Sequence, residues 1–84
     1  MPIVRMYSTQ TCPYCMRAEG LLNKKGVQVQ KIFVDKNPKE MNKMIEVTGL
    51  RSVPQIFIGD RHVGGYDAMV ELDTQGELDS LLRQ

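Results

Sequence analysis

Long apolar runs and a surplus of either charge are both missing from this sequence, and each absence excludes a class of protein. No segment approaches the roughly 18 apolar residues of a membrane-spanning helix. The formal net charge of +1 gives no electrostatic reason to expect nucleic acid or an anionic membrane as the main partner. With 42% hydrophobic residues the chain can build one core, so we expect a single domain over residues 1–84.

Cysteine and histidine are also scarce, because the chain has only Cys12, Cys15 and His62. These three fall short of the four ligands of a structural zinc site, and His62 is interpreted as a surface residue of a strand. The N-terminal segment 1–6 is too short and too soon polar for a signal peptide, so we expect a reducing, cytoplasmic compartment. In such a compartment an isolated Cys-x-x-Cys pair is more readily catalytic than structural.

The segment Cys12-Pro13-Tyr14-Cys15 stands directly before a helical pattern. Proline is favoured at the first helical position, which places Cys12 at or next to the helix N-terminus. Free backbone N–H groups and the helix dipole stabilise a thiolate there, so we expect the pKa of Cys12 to fall. Cys12 is therefore the predicted reactive sulfur, and Cys15, one turn later, is close enough to form a disulfide with it. By itself the spacing also suits half of a metal site or a structural disulfide, although so small a ring adds little stability.

The first part of the chain predicts a βαβ unit. Residues 3–7 are rich in strand formers, residues 13–25 carry an apolar face at helical spacing, and residues 27–35 predict a second strand. Such a crossover is expected to be right-handed and to join parallel strands.

The second part predicts a helix, a hairpin and a further helix. Asn37 and Pro38 are suited to open a helix that Gly49 ends. Two β-rich runs, 55–58 and 61–63, are separated by two turn residues and predict a hairpin. A helix over 66–74 and a short helical segment over 77–83 follow. The predicted fold is α/β with the order β-α-β-α-β-β-α, a four-stranded mixed sheet, helices on both faces and a short C-terminal helix.

Three motifs carry a family resemblance: Cys12-Pro13-Tyr14-Cys15, Ser52-Val53-Pro54 and Gly64-Gly65-Tyr66-Asp67. In this order and on this topology, the chain resembles the glutaredoxin family, which has the thioredoxin fold, over essentially all 84 residues. The resemblance implies a glutathione-dependent thiol–disulfide oxidoreductase that reduces protein–glutathione mixed disulfides and protein disulfides. Glutathione is then the reductant, and no metal is expected.

The resemblance also implies roles for individual residues. Cys12 and Cys15 would be the catalytic residues and form the redox-active disulfide. Tyr14 would be a wall of the glutathione site, the backbone of Val53 would pair with the cysteinyl part of glutathione, and Pro54 would be a cis-proline.

Further glutathione contacts are implied at the start of the third helix. Gly65 and Tyr66 stand where free N–H groups would hold the γ-glutamyl carboxylate, as helix N-termini do for anions. Asp67 would bind the ammonium of the same group. Its alternative role is a first-turn acid that stabilises the helix, and the two roles are compatible.

The chain departs from the family pattern at Thr9, where many relatives carry a lysine that assists the thiolate or the glycyl carboxylate. Arg51, just before the Ser52-Val53-Pro54 motif, is the predicted substitute in glutathione binding, and Arg17 is a weaker candidate. A second departure is Ala68, where relatives often have another aspartate.

Other functions remain open at this level. One alternative is a thioredoxin-like electron donor served by a flavoprotein reductase, and the residues Tyr66 and Asp67 argue against it. Another is an Fe–S cluster shared between two chains with glutathione thiols as extra ligands, which Pro13 disfavours. Glutathione and glutathionylated or disulfide-bonded proteins are the expected partners of a monomer, with ribonucleotide reductase among the candidate targets.

Overall fold

A four-stranded mixed sheet forms the centre of the fold in a computed structural model that describes residues 2–84. Its strands are β1 (Val4–Ser8), β2 (Val29–Phe33), β3 (Gln55–Ile58) and β4 (Arg61–Gly64), in the spatial order β2-β1-β3-β4. Strand β1 runs parallel to β2 and antiparallel to β3, and β3 is antiparallel to β4. The βαβ unit, the hairpin and the mixed sheet predicted from the sequence are confirmed.

Four helices complete the fold: α1 (Pro13–Lys24), α2 (Pro38–Thr48), α3 (Tyr66–Thr74) and α4 (Glu77–Leu82). The side chain of Asn37 caps α2 by accepting a hydrogen bond from the N–H of Lys39 at 3.2 Å. Gly49 ends the same helix in the left-handed conformation that glycine adopts most readily. Within residues 2–84, no helix is long and apolar enough to cross a membrane.

The predicted second strand, over residues 27–35, was two residues too long at each end. Val27 is apolar and packs against the core, but its N–H donates to the carbonyl of Leu22 and so belongs to the C-terminal cap of α1. The predicted first strand, 3–7, lies one residue further along the chain. Apolar character therefore located both strands, whereas hydrogen bonding sets their ends.

The helices cover both faces of the sheet, as predicted. On one face, buried side chains of β1 and β3 pack with α1, α3 and α4; the cluster includes Met6, Leu22, Ile56, Met69 and Leu78. The opposite face carries a smaller cluster of Tyr7, Val34, Met44 and Phe57, in which Met44 belongs to α2. Because side chains alternate along a strand, neighbouring residues of β1 and β3 contribute to different clusters.

Lys25 joins the far end of α1 to the last two helices. Its ammonium lies 2.7 Å from a carboxylate oxygen of Asp73 and 2.7 Å from one of Asp79. Hydrogen bonds to Asp73 and then to Asp79 raise the pKa of Lys25, and the hydrogen bond from Lys25 lowers the pKa of Asp79. Cys12 is at the opposite end of α1, so these two ion pairs hold the end of the helix that is remote from the cysteines.

We expect the wild-type chain to exceed a Lys25→Met variant in the free energy of unfolding most clearly around neutral pH. Because the folded pKa of Lys25 is raised, its contribution to the free energy of unfolding is fully present below the unfolded pKa of about 10.4. That contribution is lost as the pH rises through the folded pKa. Because the folded pKa of Asp79 is lowered, its contribution is fully present above the unfolded pKa of about 3.9 and is lost as the pH falls through the folded pKa.

Urea unfolding of both proteins across this pH range measures the difference. Lys24→Met is the matched control, since no ion pair of Lys24 is found within residues 2–84. A pH-independent difference between wild type and Lys25→Met would show that the ion pairs contribute nothing.

Candidate active site

The loops that carry the three motifs meet at one end of the sheet. Strand β1 ends at Ser8 and leads toward Cys12, whereas β3 begins directly after Pro54. Since β3 is antiparallel to both of its neighbours, its start lies beside the ends of β1 and β4. Strand β4 ends at Gly64, which leads into α3. Residues more than 40 positions apart in the sequence thus become neighbours, as Cys12 and Val53 do.

Cys12 is the N-cap residue of α1, with Pro13 in its first turn. Its backbone is extended, and its sulfur accepts a hydrogen bond from the N–H of Cys15 at 3.1 Å. The two cysteines form a disulfide, with their Cα atoms 5.2 Å apart. Cys12 is 8% exposed and Cys15 only 3%, so the more accessible sulfur is the one at the helix N-terminus. The predicted position of Cys12 at the start of a helix is confirmed.

The Val53–Pro54 segment faces the cysteine pair. The peptide bond between these residues is cis, as the family resemblance implied. The carbonyl oxygen of Val53 lies 4.0 Å from the sulfur of Cys12. This distance places the backbone of Val53 directly beside the disulfide. Pro54 is buried and Val53 is half-buried.

The start of α3 forms the third side of the site. Gly64 has a φ of +113°, a conformation that side chains with a Cβ rarely adopt, and a Cβ there would also come within 3.2 Å of the Cβ of Ala68. Gly65 is the N-cap of α3 and provides no side-chain cap, so the first N–H groups of the helix have no side-chain partner there. Asp67 is exposed in the first turn.

A cleft of about 380 Å³ lies between these segments. Of the seven predicted glutathione contacts, six line it: Tyr14, Val53, Pro54, Gly65, Tyr66 and Asp67. The seventh, Arg51, is exposed and precedes the lining residue Ser52. Ser52 and Ala68 also line the cleft and were not among the predicted glutathione contacts. Each adjoins a predicted residue in the sequence, and that adjacency was the available signal.

Two tyrosines line the cleft, and an exposed arginine contacts the ring of one of them. The rings of Tyr14 and Tyr66 are 6.1 Å apart between centroids, and Tyr14 remains 54% exposed. The guanidinium of Arg17 lies 5.3 Å from the centroid of the Tyr14 ring, at cation–π distance. Arg17, the weaker of the two predicted candidates for a cation at the site, therefore contacts a residue that lines the cleft.

Metal-ligating side chains are not clustered in the described part of the chain. Residues 2–84 contain no group of three or more histidine, cysteine, aspartate or glutamate side chains placed to hold a metal ion. His62 is exposed on β4, as expected of a surface strand residue, and bonds to Gln55.

Similarity to known proteins extends over almost the whole chain. The family model described as Glutaredoxin matches residues 4–63. Glutaredoxin 3 of Escherichia coli (strain K12) is 46% identical over 83 residues, covering 99% of this chain and 100% of the relative. Glutaredoxin of Pseudomonas aeruginosa is 46% identical over 98% of both chains.

Solved structures agree with this similarity. The buckwheat glutaredoxin–glutathione complex is 30% identical, with a TM-score of 0.90 over 98% of this chain and 77% of that one. The solution structure of glutaredoxin from Brucella melitensis is 44% identical, with a TM-score of 0.85 over 98% of this chain and 89% of that one.

Proposed function

Because the chain belongs to the glutaredoxin family, it is a glutathione-dependent thiol–disulfide oxidoreductase, and we propose that Cys12 is its nucleophile. The observation that carries this assignment is the position of Cys12 as the N-cap of α1, where its sulfur accepts an N–H hydrogen bond. Both the helix terminus and that bond stabilise a thiolate. Cys15 is more deeply buried and is suited to resolve a disulfide formed on Cys12.

Glutathione is proposed to bind in the cleft beside Cys12. Its cysteinyl part would pair with the backbone of Val53 as an added strand does, next to the cis-proline Pro54. Tyr14 would form the wall of the site near the sulfur. The buckwheat relative is known as a glutathione complex, which supports a glutathione site in the matching fold.

The γ-glutamyl end of glutathione is proposed to lie at the start of α3. The free N–H groups after Gly65, including that of Tyr66, would bind its carboxylate. Asp67 would pair with its ammonium, since an exposed carboxylate in the first turn stands next to those N–H groups. The cleft thereby holds both charges of one end of glutathione and presents the sulfur to Cys12.

The reaction with a protein–glutathione mixed disulfide takes two exchanges. The Cys12 thiolate attacks the glutathione sulfur, the mixed disulfide bond breaks, and the protein thiolate leaves and takes up a proton. The thiolate of a second glutathione then attacks the glutathione sulfur on Cys12. This step releases oxidised glutathione and restores the Cys12 thiolate. Binding of glutathione in the cleft accelerates the first exchange by aligning one sulfur with Cys12.

A second route uses both cysteines. Cys12 attacks a protein disulfide, Cys15 attacks Cys12 and frees the reduced protein, and two molecules of glutathione reduce the resulting Cys12–Cys15 disulfide. The bonded pair in this structure corresponds to that oxidised product. We propose ribonucleotide reductase as a target of this route. We also propose that the chain is a monomer with a single domain over residues 1–84, and that it acts in the cytoplasm.

Turnover of a glutathione mixed disulfide, coupled to glutathione reductase and NADPH, tests the function directly. We expect the wild-type chain to support it without any other reductase. If turnover is absent with glutathione reductase but appears with thioredoxin reductase, the glutathione site is wrongly assigned. A visible absorbance band in freshly purified protein would instead support the Fe–S alternative.

Arg51 is proposed to bind the glycyl carboxylate of glutathione. It would take the role of the lysine that many relatives carry at the position of Thr9. We expect Arg51→Ala to raise the KM for a glutathionylated substrate about two- to fivefold, because an exposed ion pair contributes little and is screened by salt. The increase should shrink at high ionic strength. Arg17→Ala tests the rival cation, and Arg61→Ala, on the hairpin, is the control. An unchanged KM in Arg51→Ala would exclude the proposal.

A further inference from the structure

The side chain of Gln55 closes the turn that carries Val53 and Pro54. Gln55 is only 2% exposed, and its amide nitrogen donates to the carbonyl oxygen of Ser52 at 3.0 Å and to its hydroxyl oxygen at 3.3 Å. The two ends of the turn are therefore joined through one buried amide. Val53 and Pro54, both of which line the cleft, lie between these ends.

The orientation of the Gln55 amide identifies the donor at its other end. A backbone carbonyl only accepts hydrogen bonds, so the NH₂ group of Gln55 must face Ser52 and its oxygen must face His62. The oxygen lies 2.8 Å from Nε2 of His62. That nitrogen must consequently carry a proton and donate it, whichever form the rest of the ring takes.

His62 is held in place by ring packing as well as by this bond. It pairs with Phe57 across the hairpin, and the two rings are stacked with centroids 4.9 Å apart and planes inclined by 29°. Phe57 belongs to the smaller core cluster and is 6% exposed. An exposed residue of β4 thus packs on a ring of the core and is hydrogen-bonded to the amide that closes the turn at the cleft.

We propose that His62 is a positioning residue for glutathione binding, acting through the hydrogen-bond chain His62–Gln55–Ser52. The inference rests on the proposed role of the Val53 backbone as the edge that pairs with glutathione. Without the donor from His62, the buried oxygen of Gln55 is unpaired and the amide is free to rotate away from Ser52. The turn then loses its closure, and Val53 is no longer fixed in advance for the ligand.

His62→Phe removes the donor while keeping a ring that can stack on Phe57. We expect it to lower kcat/KM for a glutathione mixed disulfide about three- to tenfold, mainly through KM, with kcat within about twofold of wild type. His62→Gln should restore most of the loss, because a glutamine amide can place an N–H donor near the position of Nε2. Unchanged kinetics in His62→Phe, or a loss that His62→Gln does not restore, would overturn the proposal.

Alkylation of reduced Cys12 by iodoacetamide separates positioning from general damage, since it requires a thiolate but no glutathione site. We expect the same alkylation rate in wild type and His62→Phe, to within about twofold. An equal loss of alkylation and turnover would show that the substitution disturbs the cysteine itself. Absence of glutathione-linked turnover in the wild-type chain would refute the proposed function, a result distinguishable from either of these.

The ¹⁵N resonances of the neutral imidazole give a test without activity. The hydrogen-bond chain requires the proton on Nε2 of His62, so we expect the resonance pattern of the Nε2–H tautomer. In His62→Phe, the side-chain NH₂ protons of Gln55 should exchange faster with solvent than in wild type. A proton on Nδ1 alone, or unchanged exchange of the Gln55 amide, would contradict the proposed chain.

Discussion

Cys12→Ser is expected to abolish glutathione-linked turnover, by on the order of a thousandfold or more. A serine hydroxyl at the N-cap of α1 can still accept the N–H of Cys15, so the helix should form as before. The hydroxyl does not ionise at neutral pH as a thiol does, and it forms no disulfide with glutathione. The variant should therefore fold normally and fail only in exchange.

Cys15→Ser is the matched variant, and we expect it to keep turnover of a glutathione mixed disulfide. That route needs only one sulfur, because a second glutathione releases the first from Cys12. Reduction of a protein disulfide should fall strongly, since no second sulfur remains to resolve the mixed disulfide with the protein. Both rates are measured in the assay coupled to glutathione reductase and NADPH.

The pair of variants assigns the two cysteines. If Cys15→Ser loses all glutathione-linked activity and Cys12→Ser keeps it, the nucleophile is Cys15 and the role of the helix N-terminus is wrong. Similar thermal unfolding of wild type and both variants, measured in the reduced state, would establish that either loss is chemical.

Leu22→Ala is expected to lower the free energy of unfolding by about 2–5 kcal/mol, a large part of the roughly 5–15 kcal/mol typical of a native domain. Leu22 is 0% exposed and belongs to the larger core cluster, where α1 meets the sheet and the last helices. Truncation removes buried methyl groups and leaves a cavity that the neighbouring helices fill only in part. Denaturant unfolding monitored by circular dichroism measures the loss.

Val47→Ala is the control for this core substitution. Val47 also lies on a helix, α2, but is 57% exposed, so removing its methyl groups uncovers little and favours the helix slightly. We expect a change within about 0.5 kcal/mol. Equal losses in the two variants would show that Leu22 does not support the core as its burial indicates.

Much of this architecture could be predicted because local signals and tertiary structure agree. Pro13 and Asn37 marked helix starts, Gly49 marked a helix end, and the hairpin followed from two turn residues between β-rich runs. The place of Cys12 at a helix N-terminus also followed from Pro13 and the helical pattern after it. Capping and turn preferences act over a few residues, so they can be identified from the sequence, and they largely determine where these elements begin and end.

The remaining features depend on contacts between distant segments. The cis bond before Pro54 came only from the family resemblance, since most bonds before proline are trans. The contact between Gln55 and His62 requires the register of the hairpin, and the ion pairs of Lys25 require the docking of α3 and α4. The stacking of Arg17 on Tyr14 likewise needs the side-chain conformations of both residues.

The strand order has a consequence for association between chains. The two outer strands, β2 and β4, are the ones with backbone groups open to a further strand. On β2, Lys31 is exposed and pairs with Glu19 of α1 at 3.1 Å, and charge of this kind opposes edge-to-edge pairing. Strand β4 has four residues and an irregular register against β3. Neither edge offers the long, flat and apolar template on which aggregates grow.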